Sequence, residues 1–215
     1  MAEFAFARNA FRGAWASALA PISAPASGGR IGIGIELHKD VEIVSFLIGR
    51  GDASEIAARL DRGLGLTLPD MGRVGKFAAL VVVGTAPGHW TVLRFGTNSR
   101  SLAALLTETA GREGFVVDQT GGRALVRVSG ADVGRLLMKG CPIDLHPSVF
   151  AAGHAASTVI EHIPVQIWRS DEALAYDLMV ARSYADDFVH WLTVAAADFG
   201  YAVSGNGDCV RRQDF

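Results

Sequence analysis

The sequence predicts an α+β protein of two βαββα-like halves, with antiparallel sheets covered by helices on one side. Three observations carry this prediction. Apolar, β-branched runs alternate with stretches of helical periodicity. The order strand, helix, two hairpin strands, helix occurs over residues 41–122 and again over 123–201. Landmarks of the first half also recur: Gly51 as Gly130 after 79 residues, Pro69 as Pro147 after 78, and Leu93 as Leu178 after 85, so a few residues were gained between the copies.

In the first half, Val41 to Ile48 is a β-branched run that reads as a buried strand. Asp52 and Glu55 form the N-cap and N3 pair of a capping box, and Ile56, Ala57 and Leu60 share one face of the helix that follows. Gly63 and Gly65 stop that helix, and the connection Gly63 to Pro69 leads to a strand from Phe77 to Val83. Ala86-Pro-Gly88 makes the turn to a returning strand, Trp90 to Phe95. Ser99 or Ser101 starts the next helix, with Leu102, Leu105 and Leu106 inward and Gly111 at its end.

The second half repeats the order. Ala124 to Val128 reads as a strand, and Gly130 opens a helix with Val133, Leu136 and Leu137 on one side. Gly140 stands where a left-handed C-terminal residue belongs. The turn-rich segment Gly140 to Gly153 has no run of charge, so it reads as an ordered connection. Thr158 to Trp168 is a strand in which Pro164 marks a bend or an edge, because proline cannot donate to a ladder. The turn Ser170-Asp-Glu172 leads to a strand from Leu174 to Val180, and Ser183 caps a last helix with Asp186 at N3. Tyr184, Phe188, Trp191, Leu192, Ala195 and Phe199 form its core stripe.

The ends and the composition bound the function. Residues 1–40 read as a flexible N-terminal arm and 202–215 as a C-terminal tail. Arg8 and Arg12 precede Ala-rich sequence as in a leader, but Glu3, Pro21 and Pro25 break that pattern. The chain has 215 residues, half of them hydrophobic, enough to bury about 70% of its unfolded surface. A formal charge of -2 offers no footprint for nucleic acid. The longest uncharged apolar run, Phe77 to Thr85, is far short of the roughly 20 residues that cross a bilayer, so no membrane partner is expected. Cys141 and Cys209 suggest neither a disulfide framework nor zinc spacing, and the cytoplasm is the expected compartment.

No catalytic, cofactor-binding or metal-ligating residue is assigned. His146, His154 and His162 are eight apart, which provides no i, i+4 metal pair. Asp144 and His146 have the alternate spacing of a base and its orienting partner, but an aspartate in a turn ordinarily bonds backbone N–H groups. Cys141 has only Lys139 nearby to lower its pKa. Gly28 to Gly34 resembles a dinucleotide loop in glycine count alone and reads as linker. Trp90, Trp168 and Trp191 have the size to stack on a flavin or pterin, yet they fit core or subunit contacts better.

A run of short motifs then points to a family. Val128-Ser-Gly130, Arg135 to Cys141, Ile143-Asp-Leu-His-Pro147, Phe150, the Thr158 strand, Ile167-Trp-Arg169, Val180 to Ala185 and Trp191-Leu192 together resemble the gamma subunit of heterotetrameric sarcosine oxidase. In the first half, Leu68-Pro69 and the Pro87-Gly-His-Trp90 turn resemble it too, with Gly88 and His89 in place of an acidic pair. The resemblance implies a folate-binding aminomethyltransferase-like fold and association with alpha, beta and delta subunits. It also implies a complex that demethylates sarcosine to glycine, yielding hydrogen peroxide and formaldehyde or methylenetetrahydrofolate. FAD, FMN, NAD and zinc are then expected on the partner subunits and none on this chain, which would be accessory. Two alternatives stand beside it. One is a subunit of a related N-methyl amino acid dehydrogenase, such as N-methylglutamate dehydrogenase; the other is an independent folate-binding aminomethyltransferase-like protein, with Asp118 or Asp144 as the acid near the pterin.

Overall fold

The computed structural model describes residues 22–26, 29–49, 52–96, 98–169, 171 and 173–205. Its first elements are β1 (Ile22–Ala24), β2 (Ile33–His38), β3 (Val41–Ile48), α1 (Ala53–Leu64), β4 (Val74–Phe77), β5 (Leu80–Ala86), β6 (His89–Phe95), α2 (Leu102–Ala110) and β7 (Gly114–Asp118). There follow β8 (Arg123–Ser129), α3 (Val133–Leu137), β9 (Ala155–Ile160), β10 (Ile163–Trp168), β11 (Ala175–Ala181), α4 (Ala185–Ala196) and β12 (Tyr201–Gly205).

The duplication is real and longer than its sequence signal. From β3 to β7, and again from β8 to β12, the order is strand, helix, three strands, helix, strand. One sheet runs β4-β5-β6-β3-β7 and the other β9-β10-β11-β8-β2-β12-β1, so each half builds a meander beside its first strand and places its last strand beyond. The second sheet differs by two strands of the N-terminal segment. β2 enters between β8 and β12, antiparallel to the first and parallel to the second, and β1 pairs with the outer edge of β12.

Alternation along each strand sorts the side chains into three apolar layers. Val44, Phe46, Val82 and Val92 face α1 and α2, against Ile56, Leu60, Leu102 and Leu106. Ile35, Leu37, Val126, Val128 and Leu178 face α3 and α4, against Leu136, Leu137, Phe188 and Leu192. The alternate residues Ile43, Val81, Val83 and Leu93 meet Leu125, Trp168 and Met179 between the sheets. The result is helices, sheet, sheet, helices. Leu93 thus faces the opposite sheet whereas Leu178 faces helices, so the matching position in the first half is Val92.

Local chemistry sets the helix ends. Asp52 accepts from the N–H groups of Ser54 and Glu55, and Gly65, at φ +59°, closes α1 through a bond to Asp61 O. Ser101 accepts from Ala104 N to start α2, and Glu42 Oε1 of β3 accepts from Leu102 N. The other oxygen of Glu42 holds Arg94 of β6 at 2.7 Å, so a buried ion pair ties this sheet to the first turn of its helix.

Several expectations need correction. The arm assigned to 1–40 contains β2, a buried strand, because Gly32 and Gly34 alternate with Ile33, Ile35 and Leu37 on the pleat. A side chain at Gly34 would meet Ser129 Oγ at 2.9 Å, so glycine there serves close packing against β8. The tail assigned to 202–215 begins within β12, whose pairing with β2 extends to Gly205; residues 1–21, 27–28 and 206–215 lie outside the described residues. The strand expected from Phe77 to Val83 is two strands turning at Ala78, which holds φ +50°. The strand expected from Thr158 to Trp168 is the β9–β10 hairpin, turning at Glu161 and His162 with φ +45° and +67°. Pro164 pairs only toward β9; pairing with β11 begins at Val165.

Gly140 is not left-handed. A Cβ there would stand 2.6 Å from the Trp191 ring, so the glycine admits that indole. Ser183 lies in a short turn and Tyr184 occupies the cap position of α4 without a side-chain bond; Tyr184 is exposed, while the rest of the stripe is buried or half-buried. Of the turn at 170–172, only Asp171 is among the described residues. β7 and β12, the last strand of each half, are additional to the expected elements.

Trp168 is the largest side chain wholly removed from solvent, and its indole Nε1 has no hydrogen-bond partner. That makes it core, with no surface left for a subunit contact. Trp168→Ala is expected to cost about 3–5 kcal/mol of stability in urea unfolding. Trp168→Phe should cost distinctly less, since the N–H it removes bonds nothing; equal losses would show that the indole nitrogen is engaged.

Candidate functional site

The segment from Gly140 to Gly153 gathers the residues that looked most chemical. It leaves α3 through a bond from Cys141 N to Leu137 O, and Asp144 Oδ1 then accepts from His146 N at 2.9 Å. His146 O takes both Val149 N and Phe150 N at 2.8 Å, and its Nδ1 sits 2.7 Å from Ser148 Oγ. Asp144 and His146 are therefore brought together by an Asx turn through the backbone, not as a carboxylate on an imidazole. Both are exposed.

Buried anchors fix this turn to the sheet. Tyr176 of β11 donates from its hydroxyl to Leu145 O at 2.8 Å, and Phe150 packs on the Tyr176 ring with centroids 6.2 Å apart. Burial raises the Tyr176 phenol above its ordinary pKa, against a smaller opposing effect of the Arg169 charge, so the hydroxyl stays a donor at neutral pH. Arg169, itself buried, donates to Phe150 O and Ala173 O. The first half has the same device. Trp90 of β6, the strand equivalent to β11, donates from Nε1 to Pro69 O at 2.8 Å in the connection after α1.

The connection also joins the halves. Val74 N bonds Gly153 O at 2.9 Å, and Ala155 N bonds Gly72 O at 2.8 Å, so the meander edges β4 and β9 meet there.

The remaining candidates are dispersed. Cys141 is buried, and desolvation raises its thiol pKa despite a bond with the Ile143 backbone, so it is a protonated core residue. Lys139 points instead to Ala195 O and Asp198, with its ammonium 4.7 Å from the Phe199 ring centre. Cys209 lies outside the described residues. His154 is half-buried beside Phe150, His162 is exposed at the β9–β10 turn, and no group of three potential metal ligands occurs among the described residues. Asp118 caps its own turn through Thr120 N, far in sequence and role from Asp144. Trp90 and Trp191 are half-buried, the latter stacked on Phe188. Gly32, in the supposed linker, bonds Phe199 O and Gly200 O.

What sequence reasoning missed is an ion cluster at a cleft between the sheets. Arg127 of β8 reaches Asp177 of β11 at 3.2 Å and Asp171 at 2.9 Å, while Lys76 of β4 reaches Asp171 at 3.2 Å across from the other sheet. The cleft, about 320 Å³, is lined by Lys76, Leu80, Phe95, Arg127 and Asp177. Burial pushes the Asp171 carboxyl up, but the bonds and charges of Arg127 and Lys76 outweigh it and hold it below the ordinary range. These charges stand on three strands and a loop, so only the fold brings them together. Asp171 Oδ2 takes both Lys76 and Arg127 while its Oδ1 is buried without a hydrogen-bond partner, and because Lys76 and Asp171 stand on different halves the cluster is a clasp between them.

A duplicated α+β unit with two facing sheets, each covered by helices, defines a domain of the aminomethyltransferase-like fold. The family model of the sarcosine oxidase gamma subunit matches residues 50–198, and the chain belongs to that family. It is 34% identical over 145 residues to a sarcosine oxidase subunit gamma of Corynebacterium sp. (strain P-1), covering 66% of this chain and 70% of that relative. Identity to the Arthrobacter sp. subunit gamma is 30% over 152 residues, covering 70% and 72%. Among solved structures it resembles a chain of heterotetrameric sarcosine oxidase from Corynebacterium sp. U-96, in complex with pyrrole 2-carboxylate, with TM-score 0.71, 26% identity and coverage of 82% and 89%. Aminomethyltransferase T of the Bartonella henselae glycine cleavage system shares the fold, with TM-score 0.59 and 15% identity over 82% of this chain and 48% of that one.

Two outcomes test the anchor and the clasp. Tyr176→Phe should cost about 1–3 kcal/mol by stranding the buried Leu145 carbonyl. Asp144→Ala, in an exposed turn, should cost about 0.5–1 kcal/mol; the reverse order in thermal melts would show the anchor misassigned. The clasp should respond to pH. A folded pKa below the unfolded value of about 3.9 gives stability that is complete above that pH and lost as pH falls through the folded value. The penalty of Asp171→Asn is therefore expected to shrink as the pH falls below about 4. A pH-independent penalty would count against the ion pair.

Proposed function

We propose that this chain is the accessory gamma subunit of a sarcosine-oxidising complex, contributing structure and assembly while chemistry proceeds on its partners. The match over residues 50–198, which spans both halves, carries this reading. The local chemistry supports it: Asp144, His146, Asp118 and Cys141 are spent on turns and core. In this reading the partners are alpha, beta and delta subunits, and FAD, FMN, NAD and zinc reside on them. The complex converts sarcosine to glycine with release of hydrogen peroxide and formaldehyde or methylenetetrahydrofolate, as part of one-carbon metabolism. The compartment is the cytoplasm; no helix among the described residues is long and apolar enough to cross a membrane.

Co-expression with the neighbouring flavoprotein subunits, followed by purification through a tag on this chain, tests the reading. A yellow complex that forms peroxide with sarcosine is expected. A colourless chain that purifies alone beside those subunits would sink it. A complex that oxidises another N-methyl amino acid, and not sarcosine, would move the assignment to a related dehydrogenase, because substrate choice lies with the flavin-bearing partner.

A further inference from the structure

We propose that the outer edge of β7 is a strand-addition site, filled in the assembled enzyme by an extended segment of a partner subunit with apolar side chains at alternate positions. The proposal rests on the reading of the chain as a subunit.

The backbone sets the geometry. β7 is the edge of its sheet and pairs with β3 through Ser45↔Val117 and Leu47↔Phe115. Gln119 N bonds Ile43 O and Gly49 N bonds Glu113 O, so the odd-numbered residues of this pair face one another through hydrogen bonds. In an antiparallel ladder that phase turns the N–H and C=O groups of Gly114, Val116 and Asp118 to the open side. No strand among the described residues pairs with them.

The side chains agree. Val116 packs with Phe46 beneath the helices, whereas Phe115 and Val117 lie on the opposite face, 59% and 47% exposed, beside the half-buried Leu47. Edge strands usually protect themselves with lysine, proline or a bulge. Gly-Phe-Val-Val-Asp has none of these, and its one charge, Asp118, already caps Thr120.

The duplication identifies the kind of occupant. β12 is the counterpart of β7, and its outer edge carries β1, a three-residue extended strand from a distant part of the chain. This fold therefore accepts an added antiparallel strand at that place, and in the first half no strand among the described residues fills it. Main-chain bonds would hold such a segment, and its alternate side chains would cover Phe115 and Val117.

Amide hydrogen exchange on the purified complex reads the backbone directly. Gly114, Val116 and Asp118 amides are expected to exchange as slowly as those of β3; exchange at the rate of an open edge overturns the proposal. The Phe115→Lys/Val117→Lys variant is expected to lower partner recovery about tenfold. Val159→Lys, at an exposed position on the β9 edge, should leave recovery unchanged. Loss of recovery in both variants alike, or in neither, overturns the proposal. So does a β7-dependent dimer of this chain in which partner recovery is unaltered, since a second copy is then the occupant. Failure of the wild type to recover any partner is a different result and counts against the subunit reading itself.

Discussion

Both sheets are apolar on both faces, and the rest of the architecture follows from that constraint. Trp168, Met179 and Leu125 of one sheet meet Ile43, Val81, Val83 and Leu93 of the other, which removes one face of each from water. The opposite faces are equally apolar and need cover, which the amphipathic helices supply. Burial on both sides also explains the runs: Val81, Val82 and Val83 are consecutive because alternate residues serve different layers of equal dryness. A charged residue on an inner face must then be paired at the margin, where Arg127, Asp171, Asp177 and Lys76 sit.

The same constraint decides what was legible in the sequence. Val41 to Ile48 was readable to the residue because a dry strand is a β-branched run with a turn after it. Capping chemistry placed α1 and α2, since Asp52 and Ser101 act within three residues of themselves. Turns that use positive φ without glycine were invisible. Ala78 stands within a continuous apolar run and Glu161-His162 is a short polar break without glycine, so tertiary pairing imposes the reversal in both places. β2 was misread for the opposite reason, since its glycines look like linker until the approach of β8 explains them.

Of the candidate site, the sequence showed the residues but not their employment. Asp144 and His146 are adjacent in a turn, as their spacing required, and the bond between them is a backbone one that no spacing distinguishes from a catalytic pair. The anchors Tyr176 and Arg169 were unreadable because they act on carbonyls some twenty to thirty residues away. The ion cluster is harder still, since Lys76 and Asp171 belong to different halves.

The duplication links these points to assembly. In each half an aromatic on the third meander strand, Trp90 or Tyr176, donates to a carbonyl of the connection after the first helix, so the connection is locked whether or not it holds Cys, Asp and His. A device common to both copies is a requirement of the fold, and the polar residues particular to one copy are elaborations on it. What distinguishes the halves at larger scale is that, among the described residues, the N-terminal segment gives strands to the second sheet and none to the first. Among the described residues the second sheet consequently covers the outer edge of β12 with β1, while β7 ends the first sheet with Phe115 and Val117 exposed. Among the described residues the chain covers one edge from its own sequence and leaves the equivalent edge without a strand, which is the edge that the proposed partner segment would complete.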